Sequence, residues 1–314
     1  MPSSAALPQA KSQTAFLEIL RRVRKRWYCY VMMSGTFVLL VAFAYYPAAS
    51  AIYHSFTNWD GFRHPEWVGL KNYRSILTSD TIMHSAVPNM VLLALWQVLR
   101  AAIFPFLGAA MVYRIRNEKL AYFFRLLYVL PIVVPGTVFI QVWRQLYDPN
   151  VGLFNELLKF VGMKPLLFLN DPKTALFSLM FIGFPWIDGV GLLVYLAGLL
   201  AIPREVIEAA IVDGAGDLRR LVRIELPLVV PQIRLIVILN VINALQSFGW
   251  QLLVTQGGPI EATTVPAWEM YRAAMVESRF GAASAMGMLL FVSVFLLTLI
   301  NNAAIRSNIE YQGG

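Results

Sequence analysis

Polar side chains interrupt an apolar stretch near residues 228–253, and their types suit contacts with hydroxyl groups such as those of a sugar. They are Asn240, Asn243, Gln246, Ser247, Trp250 and Gln251. Four recur at helical spacing on one face, namely Asn240, Asn243, Ser247 and Trp250. Amides both donate and accept hydrogen bonds, and an indole face packs against the apolar side of a pyranose. Polar groups also hold membrane helices together, so both interpretations stay open.

Three further polar residues lie inside other apolar stretches. Trp186 and Asp188 fall in one of them, and Arg100 lies near the middle of another. Because charges inside a membrane are usually paired, we favour an ion pair between Arg100 and a carboxylate such as that of Asp188. The alternative is that Arg100 binds an acidic group on a solute. With the residues above, these three complete the predicted substrate path.

The segment 202–227 carries the features of a docking helix. A proline opens it, acidic residues occupy its first turn, and Gly214 follows the last periodic position, so the pattern predicts a short amphipathic helix. The residues that share one face are Val206, Ala209, Ala210 and Asp213. The small alanines on that face would let another protein approach closely.

Residues for catalysis or metal binding are missing from the sequence. None of the seven lysines follows a glycine-rich phosphate loop, so this chain has no ATPase site of its own. Cys29 is the only cysteine, which excludes an internal disulfide. The three histidines lack the spacing of a helical zinc site, and no nucleophile, base and orienting group fall at readable spacing. We therefore expect neither an enzyme nor a bound metal or cofactor.

Membrane helices must position these residues. Hydrophobic residues make up 58% of the 314 residues, charged residues 14%, and the mean hydropathy is +0.60, whereas a soluble domain carries about 25% charged residues. Stretches long enough to cross about 30 Å of hydrocarbon cover 27–49, 86–113, 123–146, 175–200, 228–253 and 282–305. The predicted fold class is an all-α, polytopic membrane protein of about six transmembrane helices.

The basic residues predict the orientation of these helices. With the N-terminus inside, fifteen Lys and Arg residues fall on the cytoplasmic side and nine on the outer side, so the positive-inside rule places both termini in the cytoplasm. Residues 1–26 are then a cytoplasmic segment, 27–305 the transmembrane domain and 306–314 a cytoplasmic tail. The net charge of +8 is accounted for by lipid headgroups rather than nucleic acid.

The segment 202–227 resembles the EAA loop of binding-protein-dependent ABC importer permeases. The matching residues are Glu208, Ala209, Ala210, Asp213, Gly214, Ala215, Ile224, Leu226 and Pro227. Leu221 stands where the family usually has an aromatic residue. The resemblance extends over nearly the whole chain to carbohydrate-type importers, at Pro47, 55–59, Arg125, Leu130, Pro131, Trp143, Gly152, Asn155 and 255–259. The segment 255–259 is similar to the corresponding segment of the first of two non-identical permeases in sugar systems.

This resemblance implies a type I importer permease fold in the bacterial inner (plasma) membrane. It implies that a sugar, oligosaccharide or sugar-like solute, in systems of the maltose or glycerol-phosphate type, enters the cytoplasm by alternating access. The implied partners are a second permease, two ATP-binding cassette subunits that hold ATP and Mg²⁺, and an extracytoplasmic solute-binding protein. A secondary transporter would need paired acidic residues or inverted repeats, and a membrane enzyme would need a catalytic cluster, so these two alternatives lack support in the sequence.

Overall fold

The computed structural model describes residues 24–304, and helices form nearly all of this part. In chain order they are α1 Trp27–Leu40, α2 Tyr46–His54, α3 Lys71–Leu77, α4 Val87–Tyr113, α5 Glu118–Val129, α6 Gly136–Leu146, α7 Leu153–Phe160, α8 Ala175–Phe181, α9 Gly189–Leu200, α10 Arg204–Val212, α11 Asp217–Arg220, α12 Leu226–Leu228, α13 Val230–Gln246, α14 Pro266–Met275 and α15 Phe280–Ala304. Single π-helical or 3-10 turns join several of them. Within 24–304, strand-like pairing is limited to one bridge between Thr57 and Trp67.

Four helices are long and apolar enough to cross a membrane. They are Trp27–His54, Thr81–Tyr113, Val230–Thr255 and Phe280–Asn301. Two bent pairs raise the number to six if each counts as one span, namely Glu118–Val133 with Gly136–Leu146 and Gly189–Leu200 with Arg204–Val212. The prediction of an all-α, polytopic fold is confirmed.

The third predicted span, 123–146, is not one straight helix. It bends by 92° between α5 with its 3-10 turn and α6. At the bend Val134 has an extended backbone with ψ 122°, and Pro135 follows it. Proline lacks an N–H donor and disfavours helical geometry in the residue before it, so the helix has to stop and restart here.

The fourth predicted span, 175–200, is helical only at its two ends, in α8 and α9. In the connection between them Gly183 and Trp186 have left-handed backbones, with φ of 86° and 57°. An L-residue rarely continues a right-handed helix from that region. The second bend, of 73°, separates α9 from α10, so α10 leaves the direction of the span and belongs to the segment 202–227.

A buried core forms where α4, α9 and α13 pack together. Leu192, Tyr195 and Leu199 on α9 are completely buried, and they pack with Phe106 of α4 and Ile236 of α13. Glycines bring helices close together here, as is typical of membrane proteins. A Cβ at Gly198 would lie 2.7 Å from Gln232 Cδ, and one at Gly189 would lie 2.6 Å from the Tyr128 carbonyl oxygen.

Residues up to Tyr53 and residues from His54 onward form two separate compact units. In the first unit, α1 exposes large apolar side chains such as Met32, which is 82% exposed. That composition and exposure suit a helix surrounded by hydrocarbon. Most of the predicted cytoplasmic segment 1–26 and all of the predicted tail 306–314 lie outside the described residues.

Candidate functional site

The helix α10 begins and ends where its sequence predicts. Pro203 precedes it with an extended backbone, ψ 137°, and Gly214 follows Asp213 with a left-handed φ of 72°. The N–H of Gly214 donates to the Ile211 carbonyl at 3.0 Å, and that of Ala215 donates to the Ala210 carbonyl at 2.9 Å. These bonds satisfy carbonyls that a helix end would otherwise leave without partners, so the exit from α10 is firmly defined.

The segment 202–227, called here the coupling segment, has an inner and an outer side. On the inner side Ile207, Leu221 and Leu226 pack against the core of α4, α9 and α13, so Leu221 helps to anchor the segment. On the outer side Val212 is 87% exposed and Leu218 is 74% exposed. These two apolar side chains flank the turn at Gly214 and are available to another protein.

The residues predicted for coupling divide between these two sides. Those that are exposed are Glu208, Ala209, Asp213, Gly214 and Pro227, and those that are half-buried are Ala215, Ile224 and Leu226. Ala210 is only 7% exposed. The expectation that Ala210 shares a docking face with Ala209 is therefore wrong, because Ala210 lies on the buried side of α10.

An ion pair fastens the coupling segment to the end of α4. Arg114 Nη2 donates to both carboxylate oxygens of Glu225, at 3.0 and 2.9 Å. Arg114 Nη1 also donates to the Ala110 carbonyl at 2.8 Å. Glu225 is 1% exposed, and a buried carboxylate has to be paired and hydrogen-bonded to be tolerated. Movement of the coupling segment is thereby tied to α4.

A narrow cleft that is open to solvent lies between α4, α8 and the end of α13. The residues that line it are Met90, Leu93, Trp96, Gln97, Arg100, Leu179, Met180, Ala244, Ser247, Trp250, Gln251 and Val265. Four of the predicted substrate-path residues are among them, namely Arg100, Ser247, Trp250 and Gln251. The indole of Trp250 packs edge-on against Phe139, with ring centroids 6.3 Å apart, so its orientation is restricted.

The other predicted residues near 240–251 do not line this cleft, and the assumption of one continuous helical face is wrong. The span Val230–Thr255 is interrupted, because α13 ends at Gln246, Ser247 has an extended backbone with ψ 132°, and the last part of the span is a π-helical turn at Gln251–Thr255. Asn243 and Gln246 are exposed. Asn240 accepts a hydrogen bond from Gln97 at 3.3 Å and donates to the Ile236 carbonyl at 2.9 Å, so it connects α13 to α4.

The predicted ion pair between Arg100 and Asp188 is not formed. Arg100 Nη1 donates to the Ile182 carbonyl at 3.2 Å. The Asp188 carboxylate instead accepts from the N–H of Gly191 at 2.6 Å and caps α9, which is a favoured role for aspartate at a helix start. Trp186 does not line the cleft and packs edge-on against Trp96, with centroids 5.1 Å apart. Its indole nitrogen is buried and has no hydrogen-bond partner among the residues that the structure describes.

Sequence reasoning missed four residues at these sites. Trp96 and Gln97 line the cleft one helical turn before Arg100, and the rule that polar groups inside a span mark a pathway or a contact would have found them. Trp96 is fixed by a hydrogen bond from its indole to the Met180 carbonyl at 2.7 Å. No local pattern indicates the pair of Arg114 and Glu225, because 111 residues separate them in the chain.

Comparison with known families identifies the class of this chain. A family model for the binding-protein-dependent transport system inner membrane component matches residues 29–308. The chain belongs to this family. As a member of it, this permease is a multi-pass transport subunit, and the resemblance drawn from residues 202–227 is confirmed.

Curated relatives extend over most of this permease. The probable ABC transporter permease protein YesP of Bacillus subtilis is 30% identical over 276 residues, 86% of this chain and 88% of its own. The sn-glycerol-3-phosphate transport system permease protein UgpA of Brucella abortus is 31% identical over 90% of this chain and 96% of its own. The diacetylchitobiose uptake system permease protein NgcF of Streptomyces coelicolor is 30% identical over 84% of this chain and 79% of its own.

A solved structure shares the fold of the permease. It is a crystal structure of a bacterial ABC transporter involved in the import of the acidic polysaccharide alginate, and one of its chains has a TM-score of 0.81 with 23% sequence identity. The match covers 93% of this permease and all of that chain. A further structure of an alginate transporter, in complex with a periplasmic protein bound to an alginate pentasaccharide, has a TM-score of 0.79.

Proposed function

We propose that this permease forms the membrane pathway of an ATP-driven importer for a sugar, an oligosaccharide or a sugar-like solute. In this proposal it pairs with a second, homologous permease and receives solute from an extracytoplasmic binding protein. Two partner ATP-binding cassette subunits hold ATP and Mg²⁺ and carry out the hydrolysis. The permease contributes the conformational change between outward and inward access.

The observation that carries the proposal is the two-sided coupling segment. Its outer side presents Val212 at the end of α10 and Leu218 on α11, on either side of the turn at Gly214, and this protruding apolar turn suits insertion into a cleft of another protein. Its inner side is anchored to the core and, through Glu225, to Arg114 at the end of α4. A push on the outer side is therefore passed to a helix that lines the cleft.

The proposed solute class rests on the chemistry of the cleft and on the relatives. Amide, hydroxyl and indole groups from Gln97, Ser247, Trp250 and Gln251 line it, and these groups suit sugar hydroxyls and pyranose faces. Two curated relatives are named for sn-glycerol-3-phosphate and diacetylchitobiose transport. We further propose that both termini and the coupling segment lie in the cytoplasm, where ATP-binding subunits could reach them.

Transport assays in proteoliposomes test the proposal. The permease is reconstituted with its second permease and ATP-binding subunits, and solute-loaded binding protein is added on the outer side. We expect uptake to require internal ATP and the binding protein to stimulate hydrolysis. Uptake driven by an ion gradient without the ATP-binding subunits would contradict the proposal and favour a secondary transporter.

A further inference from the structure

Arg100 brings a positive charge to the cleft, and within residues 24–304 no carboxylate contacts it directly. Among the described residues that line the cleft, it is the only charged one. In the part of the chain that the structure describes, its guanidinium donates a hydrogen bond to the Ile182 carbonyl at 3.2 Å. A guanidinium has five N–H donors, so a single carbonyl leaves most of them for another acceptor.

The carboxylate that could have neutralised Arg100 is occupied elsewhere. Asp188 caps α9 through the N–H of Gly191 at 2.6 Å. Moving it to Arg100 would give up that cap, which stabilises the start of a helix. Asp188 therefore attracts Arg100 only at longer range, without a direct contact. A charge inside a membrane protein is costly and is usually kept where it has a function.

The backbone of the connection after α8 lies close to the guanidinium. Gly183 has a left-handed φ of 86°, and a Cβ at this position would lie 3.7 Å from Arg100 Nη1. Trp96, one turn earlier on α4, is fixed by its bond to Met180. The cleft therefore combines a rigid aromatic surface with one positioned cation.

We propose that the solute of this permease is anionic and that Arg100 binds its acidic group, a carboxylate or a phosphate. The inference rests on the proposed function and narrows the solute class to an acidic saccharide or a sugar-like phosphate. Guanidinium binds both groups in bidentate geometry. Trp250 and Gln251 then contact the neutral part of the same solute, so Arg100 determines specificity for charge.

Three probes separate the solute classes in the complete transporter. Proteoliposomes holding the whole complex are tested with the neutral trisaccharide maltotriose, the uronic trisaccharide trigalacturonate and the phosphate ester sn-glycerol-3-phosphate. We expect the wild-type complex to take up at least one acidic probe and to discriminate against maltotriose. Uptake of trigalacturonate alone assigns a carboxylate to the site, and uptake of sn-glycerol-3-phosphate alone assigns a phosphate.

Variants of Arg100 show whether the arginine provides this selectivity. Arg100→Gln should raise the KM for the acidic probe about ten- to a hundredfold, because a hydrogen bond to a charged group is lost. Arg100→Lys keeps the charge without the bidentate geometry, so its KM should lie between those of the wild type and Arg100→Gln. Arg116→Gln, which removes an exposed charge beyond the end of α4, serves as the matched control and should leave the KM unchanged.

The results also separate this inference from the proposed function. ATP-dependent uptake of maltotriose alone, unaffected by Arg100→Gln, would overturn the anionic solute and leave the proposed function intact. Low recovery of the Arg100→Gln complex with an unchanged KM would overturn the inference too, because it would mean that Arg100 pairs with a partner subunit. Uptake of the probes that does not depend on ATP would overturn the proposed function.

Discussion

At the scale of single residues, the pair of Arg114 and Glu225 has unequal partners. The Glu225 side chain is 2% exposed and that of Arg114 is 27% exposed. If its partner is removed, Arg114 can recover some hydration, whereas Glu225 stays buried with a bare charge. Breaking a buried pair by removing one partner costs about 3–5 kcal/mol, and the larger cost should follow the loss of the arginine.

We therefore expect Arg114→Met to lower the thermal unfolding temperature of the purified complex more than Glu225→Gln does. The double variant Arg114→Met with Glu225→Leu should recover much of the loss, because neither charge is then left buried. The double variant should nevertheless transport poorly, since the link from the coupling segment to α4 is gone. Equal destabilisation by the two single changes would contradict the idea that the unequal burial of the two partners sets the cost.

A second residue-scale prediction separates binding from helix packing. Trp250→Ala should raise the KM for solute because the side chain lines the cleft. Asn240→Ala should instead lower the yield of the complex, because its hydrogen bond to Gln97 connects α13 to α4; the cost is about 1 kcal/mol. Complex yield and uptake measured in parallel test both, and a raised KM with normal yield for Asn240→Ala would place that residue in the solute path.

At the scale of elements, local sequence predicts some helices well and others poorly. The limits of α10 follow from Pro203 and Gly214, because a proline start and a left-handed glycine end are local signals. The break at Ser247 contains neither glycine nor proline, so the hydropathy of the sequence does not indicate that the helix ends there. The sequence also did not predict that Asp188 caps α9, because a carboxylate inside an apolar stretch can either pair with a positive charge or cap a helix.

The turn after α10 gives the prediction at this scale. A β-branched residue is strained at the φ of 72° that Gly214 adopts, by about 1–3 kcal/mol, although no atom of the described residues lies within 4 Å of the added Cβ. Glu208→Ala combined with Gly214→Val should leave membrane insertion intact while ATP hydrolysis no longer drives uptake. Gly214→Asn is the matched comparison, because asparagine tolerates the left-handed region, and it should retain more coupling than Gly214→Val.

The ratio of solute imported to ATP hydrolysed measures this effect. A normal ratio in the Glu208→Ala, Gly214→Val complex, at normal expression, would remove the coupling role from this segment. Glu118→Ala provides a control for the lost carboxylate, since Glu118 is an exposed residue at the start of α5, outside the coupling segment.

At the scale of the whole molecule, composition was enough to predict the class but not the path of the chain. Low charge and long apolar stretches identify membrane helices wherever they occur. Bends of 92° and 73° leave hydropathy almost unchanged, so a straight helix and a broken one give the same signal. The cleft itself is assembled from α4, α8 and α13, which are far apart in the sequence, and this explains why only part of its lining was predicted.

The orientation in the membrane is the prediction at this scale, motivated by the excess of basic residues on one side. Single cysteines replacing Arg116, Arg219 or Lys164, all exposed, are introduced after the exposed Cys29 is changed to Ser. Cysteines at 116 and 219 should react with an impermeant maleimide only from the cytoplasm, and the one at 164 only from outside. Labelling of position 219 from outside would contradict this orientation, because ATP-binding subunits in the cytoplasm could not contact the coupling segment.

The early end of α13 at Gln246 has a consequence for where the membrane seal lies. The last carbonyls of a helix have no intrahelical donors, and hydrocarbon offers none. Beside a cleft, those oxygens can take their hydrogen bonds from water or from a polar solute. We therefore expect water at the level of Ser247, so the barrier that prevents leakage of protons and small ions has to be closed above or below it.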